Sequence, residues 1–120
     1  MKYSIDKQDN YSVLQLQEEN LNALIAPELK SEFIFLRNEG VQNLILDMSQ
    51  VKYVDSSGLS AILTANRLWK EMGALLLTEI NHESVTRLIE ISRLETILSI
   101  VDTKSEAIQH VLNLKTESES

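Results

Sequence analysis

Asp55, Ser56 and Ser57 set a carboxylate and two hydroxyls side by side, directly ahead of Gly58. An apolar run (Leu44, Ile45, Leu46) precedes them, and Leu59, Ile62, Leu63 and Trp69 follow at helical spacing. The stretch therefore falls where a helix begins. The first N–H groups of a helix lack partners inside it and carry the positive end of its dipole. Asp and Ser are favoured there because their oxygens accept those bonds, so capping is one use of these side chains. The other is phosphate acceptance: a helix start tolerates an anion, and a phosphorylated hydroxyl there is compatible with the fold. Gly58 is not needed as a helix stop. Its missing side chain serves either plain helix-start packing or the close approach of another backbone or a phosphate.

Other chemistry is scarce. A hydrolytic triad would have to join Ser56 or Ser57 with Asp55 and His82, but no G-x-S-x-G elbow is present and the histidine lies on a different predicted helix. His82 and His110 show no paired ligand spacing, and cysteine is absent, so no metal site is expected. Neither G-x-x-x-x-G-K-[ST] nor G-x-G-x-x-G occurs, so no nucleotide cradle or other cofactor site is expected. A second constellation is formed by Glu18 and Glu19 after one strand, Asp47 and Thr78 at the ends of two others, and Lys104 after the last. It resembles a two-component receiver domain, in which paired acids hold Mg²⁺ and an Asp accepts phosphate. The order of elements argues against it. Receivers place an extra strand and helix between the acid pair and the acceptor, and they lack an N-terminal hairpin.

The 120 residues suit one domain, and 43% hydrophobic content supports a core. Eighteen acidic residues against 11 basic ones give a net charge of −7. Without a basic stripe such a chain is a poor nucleic-acid binder. Excess negative charge keeps a small protein soluble, or steers it to a basic partner. The N-terminus shows no basic-then-apolar signal pattern, and no apolar run approaches the ~18 residues of a span. A cytoplasmic protein without direct membrane insertion is the expectation.

The elements that must position Asp55–Gly58 follow from periodicity. Residues 2–6 alternate, Gln8, Asp9 and Asn10 turn, and Val13, Leu14 and Leu16 form a second strand, together an antiparallel hairpin. Asn20 to Asn22 break the pattern. A helix runs from about Ala26 to Asn38, with Pro27 in its first turn, Gly40 beyond its end, and Ile25, Leu29, Phe33 and Leu36 inward. Ile34 and Phe35 point elsewhere. The simpler expectation is that they pack under the hairpin, and the alternative is an exposed contact patch. Val41 to Met48 is a strand, Ser57 to Met72 a helix, Ala74 to Thr78 a strand, Asn81 to Ser92 a helix, and Ile97 to Val101 a strand. Thr103 caps a helix over Ser105 to Leu114, and Lys115 to Ser120 is a polar, disordered tail. The order ββαβαβαβα predicts a single α/β domain, residues 1–114, with four helices on a mixed, mostly parallel sheet whose N-terminal strand is antiparallel.

In that order, Val54-Asp55-Ser56-Ser57-Gly58-Leu59 after Leu44-Ile45-Leu46-Asp47-Met48 resembles the D-S-[ST]-G-L signature of STAS domains, and most of all the bacterial anti-sigma factor antagonists. The resemblance covers nearly the whole chain, including the step Gly73-Ala74-Leu75-Leu76-Leu77 into the fourth strand. It implies a binding protein rather than an enzyme. The unphosphorylated antagonist binds an anti-sigma factor that is also a serine kinase; the kinase, which supplies ATP and Mg²⁺, phosphorylates the first signature serine, here Ser56, and the complex separates. A phosphatase resets it. The contact surface implied is Asp55, Ser56, Ser57, Gly58 and Leu59, extended along the helix by Ser60, Thr64 and Arg67. Many antagonists carry a G-E-L-D-like turn after the second strand. Here the segment is Glu18-Glu19-Asn20-Leu21-Asn22, with Asn22 in place of the Asp. STAS domains also serve as subunits of lipid-transporting ABC systems, which is the alternative reading.

Overall fold

Alternation along three central strands decides the layering. In β2 (Ser12–Leu16), β4 (Asn43–Asp47) and β6 (Ala74–Thr78) successive side chains point to opposite faces. Leu14, Leu16, Leu44, Leu46, Leu75 and Leu77 enter one core, and Val13, Ile45 and Leu76 enter another. Both faces are thus apolar, and both must be covered. The computed structural model describes residues 1–119, with side chains to residue 114. In place of the expected tail over 115–120, after a helix ending at Leu114, the backbone continues as helix through Glu119, and Ser120 lies outside the described residues.

The main sheet has the order β1-β2-β4-β6-β7, where β1 is Tyr3–Lys7 and β7 is Ser99–Val101. β1 and β2 are antiparallel and the remaining pairings parallel, as the pattern predicted. Helices α1 (Ala26–Asn38), α2 (Ser56–Trp69) and α3 (Glu83–Ile91) cover the larger core. Leu29, Phe33 and Leu36 of α1 meet Ala61, Ile62, Ala65 and Trp69 of α2 there. Phe33 and Trp69 stack edge to face at 6.3 Å, and the Trp69 indole N–H donates to the Val41 carbonyl at 3.1 Å. Helix α4 (Lys104–Glu119) covers the second face with Ala107 and Val111. Its cap is the expected one, Thr103 Oγ1 accepting the Glu106 N–H at 3.1 Å.

Three local expectations change. Asn20–Leu21 is not a plain break but a two-residue strand, β3, paired in parallel with β5 (Tyr53–Val54). The last strand starts later than expected because Leu94–Thr96 form a 3₁₀ turn, entered through Arg93 at φ +57°. Ile34 and Phe35 do not pack under the hairpin; they are 46% and 54% exposed. The hairpin reaches α1 through polar groups instead. The Met1 ammonium meets Glu28 at 3.0 Å, the Tyr3 hydroxyl donates to Glu32 at 3.0 Å, and Lys7 pairs with Glu39 at 2.8 Å. The Glu32 bond, partial burial and the nearby acids hold the Tyr3 phenol above its ordinary pKa.

Candidate functional site

The β3–β5 pair exists to aim one short stretch. Glu19 accepts the N–H groups of Lys52 and Tyr53 on its carbonyl, at 2.8 and 3.0 Å, and the Leu21 carbonyl accepts the Asp55 N–H at 3.1 Å. Ser84 of α3 donates its hydroxyl to the Lys52 carbonyl. The chain thus leaves β5 on a fixed course into α2. Asp55, in extended backbone, is the N-cap: its Oδ1 accepts the Gly58 N–H at 2.9 Å. Capping, one of the uses the sequence allows these side chains, is the one Asp55 takes. Asp55→Ala removes that acceptor and should cost about 1 kcal/mol, read as a fall of roughly 3–6 °C in Tm.

Gly58 has an internal explanation. It is buried, and a methyl group built on it would run into the Leu21 carbonyl oxygen and lie 2.7 Å from Leu21 Cγ. The backbone that approaches closely is the chain's own, so Gly58 is no open contact for a partner. Leu59 is half-buried against the larger core. Ser56, by contrast, is exposed at the first helical position, and among the described residues its hydroxyl makes no hydrogen bond. Ser57 is half-buried and makes no capping bond.

Ser56, Ser57 and Ser60 share a recess of about 280 Å³ with Ala26, Pro27 and Lys30 of α1. Lys30 Nζ donates to Ser60 Oγ at 3.3 Å. Further along, Thr64 Oγ1 donates to the Ser60 carbonyl at 2.9 Å, and Arg67 donates to Thr64 Oγ1 at 3.2 Å. Ser60, Thr64 and Arg67 therefore form one continuous polar ridge running from Ser56. Val54 of β5 and Arg87, Leu88 and Ile91 of α3 line another recess, of about 440 Å³.

The model of the STAS domain matches residues 2–107. The chain belongs to the STAS family. This STAS domain is 29% identical to a putative anti-sigma factor antagonist, BtrV, of Bordetella bronchiseptica, over 89% of the chain and 91% of the relative. Its fold superposes on the crystal structure of a putative anti-sigma factor antagonist from Thermotoga maritima with a TM-score of 0.79 and 28% identity, covering 91% and 93% of the two chains. The fold also matches the Bacillus cell fate determinant SpoIIAA in its phosphorylated form, at a TM-score of 0.70 and 18% identity, over 92% and 99%.

The STAS frame disperses the competing constellation. Asp47 is buried at the end of β4, but no acid stands beside it: Gln15 and Thr78 are its partners in register. Its Oδ1 accepts the Ser49 N–H at 2.9 Å. Glu18 accepts the Lys2 N–H, and Glu19 pairs with Lys52 at 3.2 Å. Among the described residues no three acids or histidines gather in a way that could hold a metal ion. The acid pair that a receiver needs is spent on straps around β3 instead.

The segment Glu18 to Asn22 borders Asp55–Gly58 through the pairing of β3 with β5. Asn22 Oδ1 accepts the Leu24 N–H at 3.0 Å and shapes the entry to α1. Periodicity missed Pro27 and Lys30 as neighbours of Ser56. A lone lysine on a helix carries no signal in a sequence, and only the packing of α1 on α2 brings it there. Within the described residues no helix is long and apolar enough to cross a membrane.

Proposed function

We propose that this STAS domain is an anti-sigma factor antagonist switched by phosphorylation of Ser56. Unphosphorylated, it docks an anti-sigma factor that is also a serine kinase, in the cytoplasm, through Ser56, Ser57 and the ridge Ser60–Thr64–Arg67. The kinase moves the γ-phosphoryl group of its own ATP to Ser56 Oγ: an O–P bond forms, the bond to ADP breaks, and the hydroxyl proton is given up. The complex then separates until a phosphatase restores the serine. The observation that carries this reading is a hydroxyl at a helix start, exposed and unbonded, whose neighbours Asp55 and Gly58 are fully engaged in holding the backbone. Such a group is accessible to a kinase, and its modification breaks no hydrogen bond that the serine makes. A relative named as an antagonist and a phosphorylated protein of the same fold support the reading.

The test is direct. Serine kinases encoded in the same genome are incubated with the protein and ATP, and the modified site is mapped by mass spectrometry. Phosphate at Ser56, lost in Ser56→Ala, is the expected result. Phosphate transfer that Ser56→Ala leaves intact sinks the assignment. Recovery of an ABC ATPase by affinity purification, with no phosphate on the protein, would favour the transport-adaptor reading instead.

A further inference from the structure

The recess beside Ser56 holds one cation and no acid: Lys30 is the charged residue lining it. Lys30 is half-buried, and among the described residues it makes no ion pair. Its ammonium rests on Ser60 Oγ, a neutral acceptor, at 3.3 Å, longer than the usual N–H···O distance. Ser56 and Ser60 are four residues apart on α2, so their side chains stand on one face with Cβ atoms about 5–6 Å apart. The four-carbon stem of a lysine and its three donors can exchange one of these acceptors for the other without moving either helix.

We propose that Lys30 is the resident cationic partner of the phosphate: on phosphorylation its ammonium leaves Ser60 and donates to the phosphate on Ser56. The inference rests on the reading of Ser56 as a phosphoacceptor. A phosphoserine carries about −1.5 to −2 charge, and a charge-assisted bond to it outcompetes the long bond to a neutral hydroxyl. The neighbouring acid, Asp55, has its Oδ1 turned to the Gly58 N–H. The phosphate is thereby drawn toward α1 and fills the recess between Pro27 and Ser60. The modified protein then differs from the unmodified one in the shape of its contact face as well as in its charge, and α1 becomes part of the switch.

The experiment incorporates phosphoserine at position 56 during translation, so no kinase is needed, and follows the second phosphate ionisation by ³¹P NMR. Lys30→Met keeps the stem and removes the charge; Lys30→Gln serves if that variant folds poorly. Loss of Lys30 should raise the phosphate pKa by roughly 0.2–0.7 unit, because a nearby cation favours the dianion. Lys30→Arg should restore it. Lys70→Met, at the far end of α2, should leave it in place. Equal phosphate pKa values in the Lys30 variants and the parent, or an equal rise in Lys70→Met, overturn the proposal. Because the phosphate is built in, this result is independent of whether any kinase modifies Ser56. A kinase that ignores Ser56 overturns the switch and leaves the titration readable, whereas a silent titration removes Lys30 alone.

Discussion

Ser56→Asp is expected to weaken binding of the partner about a hundredfold while shifting Tm by no more than a few degrees. The two halves of that expectation have separate causes. Inside the protein, the new carboxylate stands at the first position of α2, where the unpaired N–H groups and the helix dipole favour a negative charge. No internal hydrogen bond of the serine is lost. At the proposed interface, the same charge would have to be stripped of water where the unmodified protein offers a small neutral hydroxyl. A penalty of about 3 kcal/mol corresponds to a hundredfold change in Kd. Ser56→Ala separates charge from shape: it should bind within about threefold of the parent, since an exposed hydroxyl contributes little by itself. Calorimetric titration against the purified partner measures all three proteins. Undiminished binding of Ser56→Asp would count against the switch.

Gly58→Ala should have the opposite profile, a large loss of stability whose effect on binding follows from the loss of shape. The added methyl meets a backbone carbonyl, that of Leu21, which is already committed to the Asp55 N–H. It also meets the Leu21 side chain, which is fully buried. Moving the carbonyl would break its bond to the Asp55 N–H and the pairing of β3 with β5, and moving the side chain would disturb the core. Overpacking of this kind costs about 3 kcal/mol, and for a domain of this size Tm should fall by roughly 10–15 °C. Urea unfolding of the variant beside Ser57→Ala provides the measurement, the latter being expected near neutral. A Gly58→Ala protein as stable as its parent would show that α2 can shift away from β3.

The long elements were legible because their periods are long. Leu29, Phe33 and Leu36 recur over two turns, and the runs Leu44–Leu46 and Leu75–Leu77 cannot be placed anywhere but inside. The start of α2 was legible because Asp and Ser do a helix start's chemistry themselves. What escaped was whatever depends on a second segment. Asn20–Leu21 is too short to have a period, so its pairing with Tyr53–Val54 left no trace. The need for glycine at position 58 is set by Leu21, far back in the chain, and reads locally as an open space. Asp47 was legible as an acid at a strand end but not as one whose neighbour in register is Gln15. For Ile34 and Phe35 the period shows that they leave the inner stripe, and it is silent on what covers them. The glutamates that tie α1 to the hairpin are indistinguishable, in sequence, from a solvated helix face.

The division of labour at the start of α2 has a consequence for how a signal would be kept. Asp55 and Gly58 hold the backbone, and Ser56 holds nothing. A group added to Ser56 therefore breaks no bond of the serine and none of the backbone; the exchange proposed for it is confined to side chains, Lys30 turning from Ser60. Such a protein carries one bit of information without hysteresis. On the proposed reading its state would be written and erased on an unmoved backbone, it would retain no memory in its fold, and its response time would be that of the enzymes acting on it rather than of any refolding of its own.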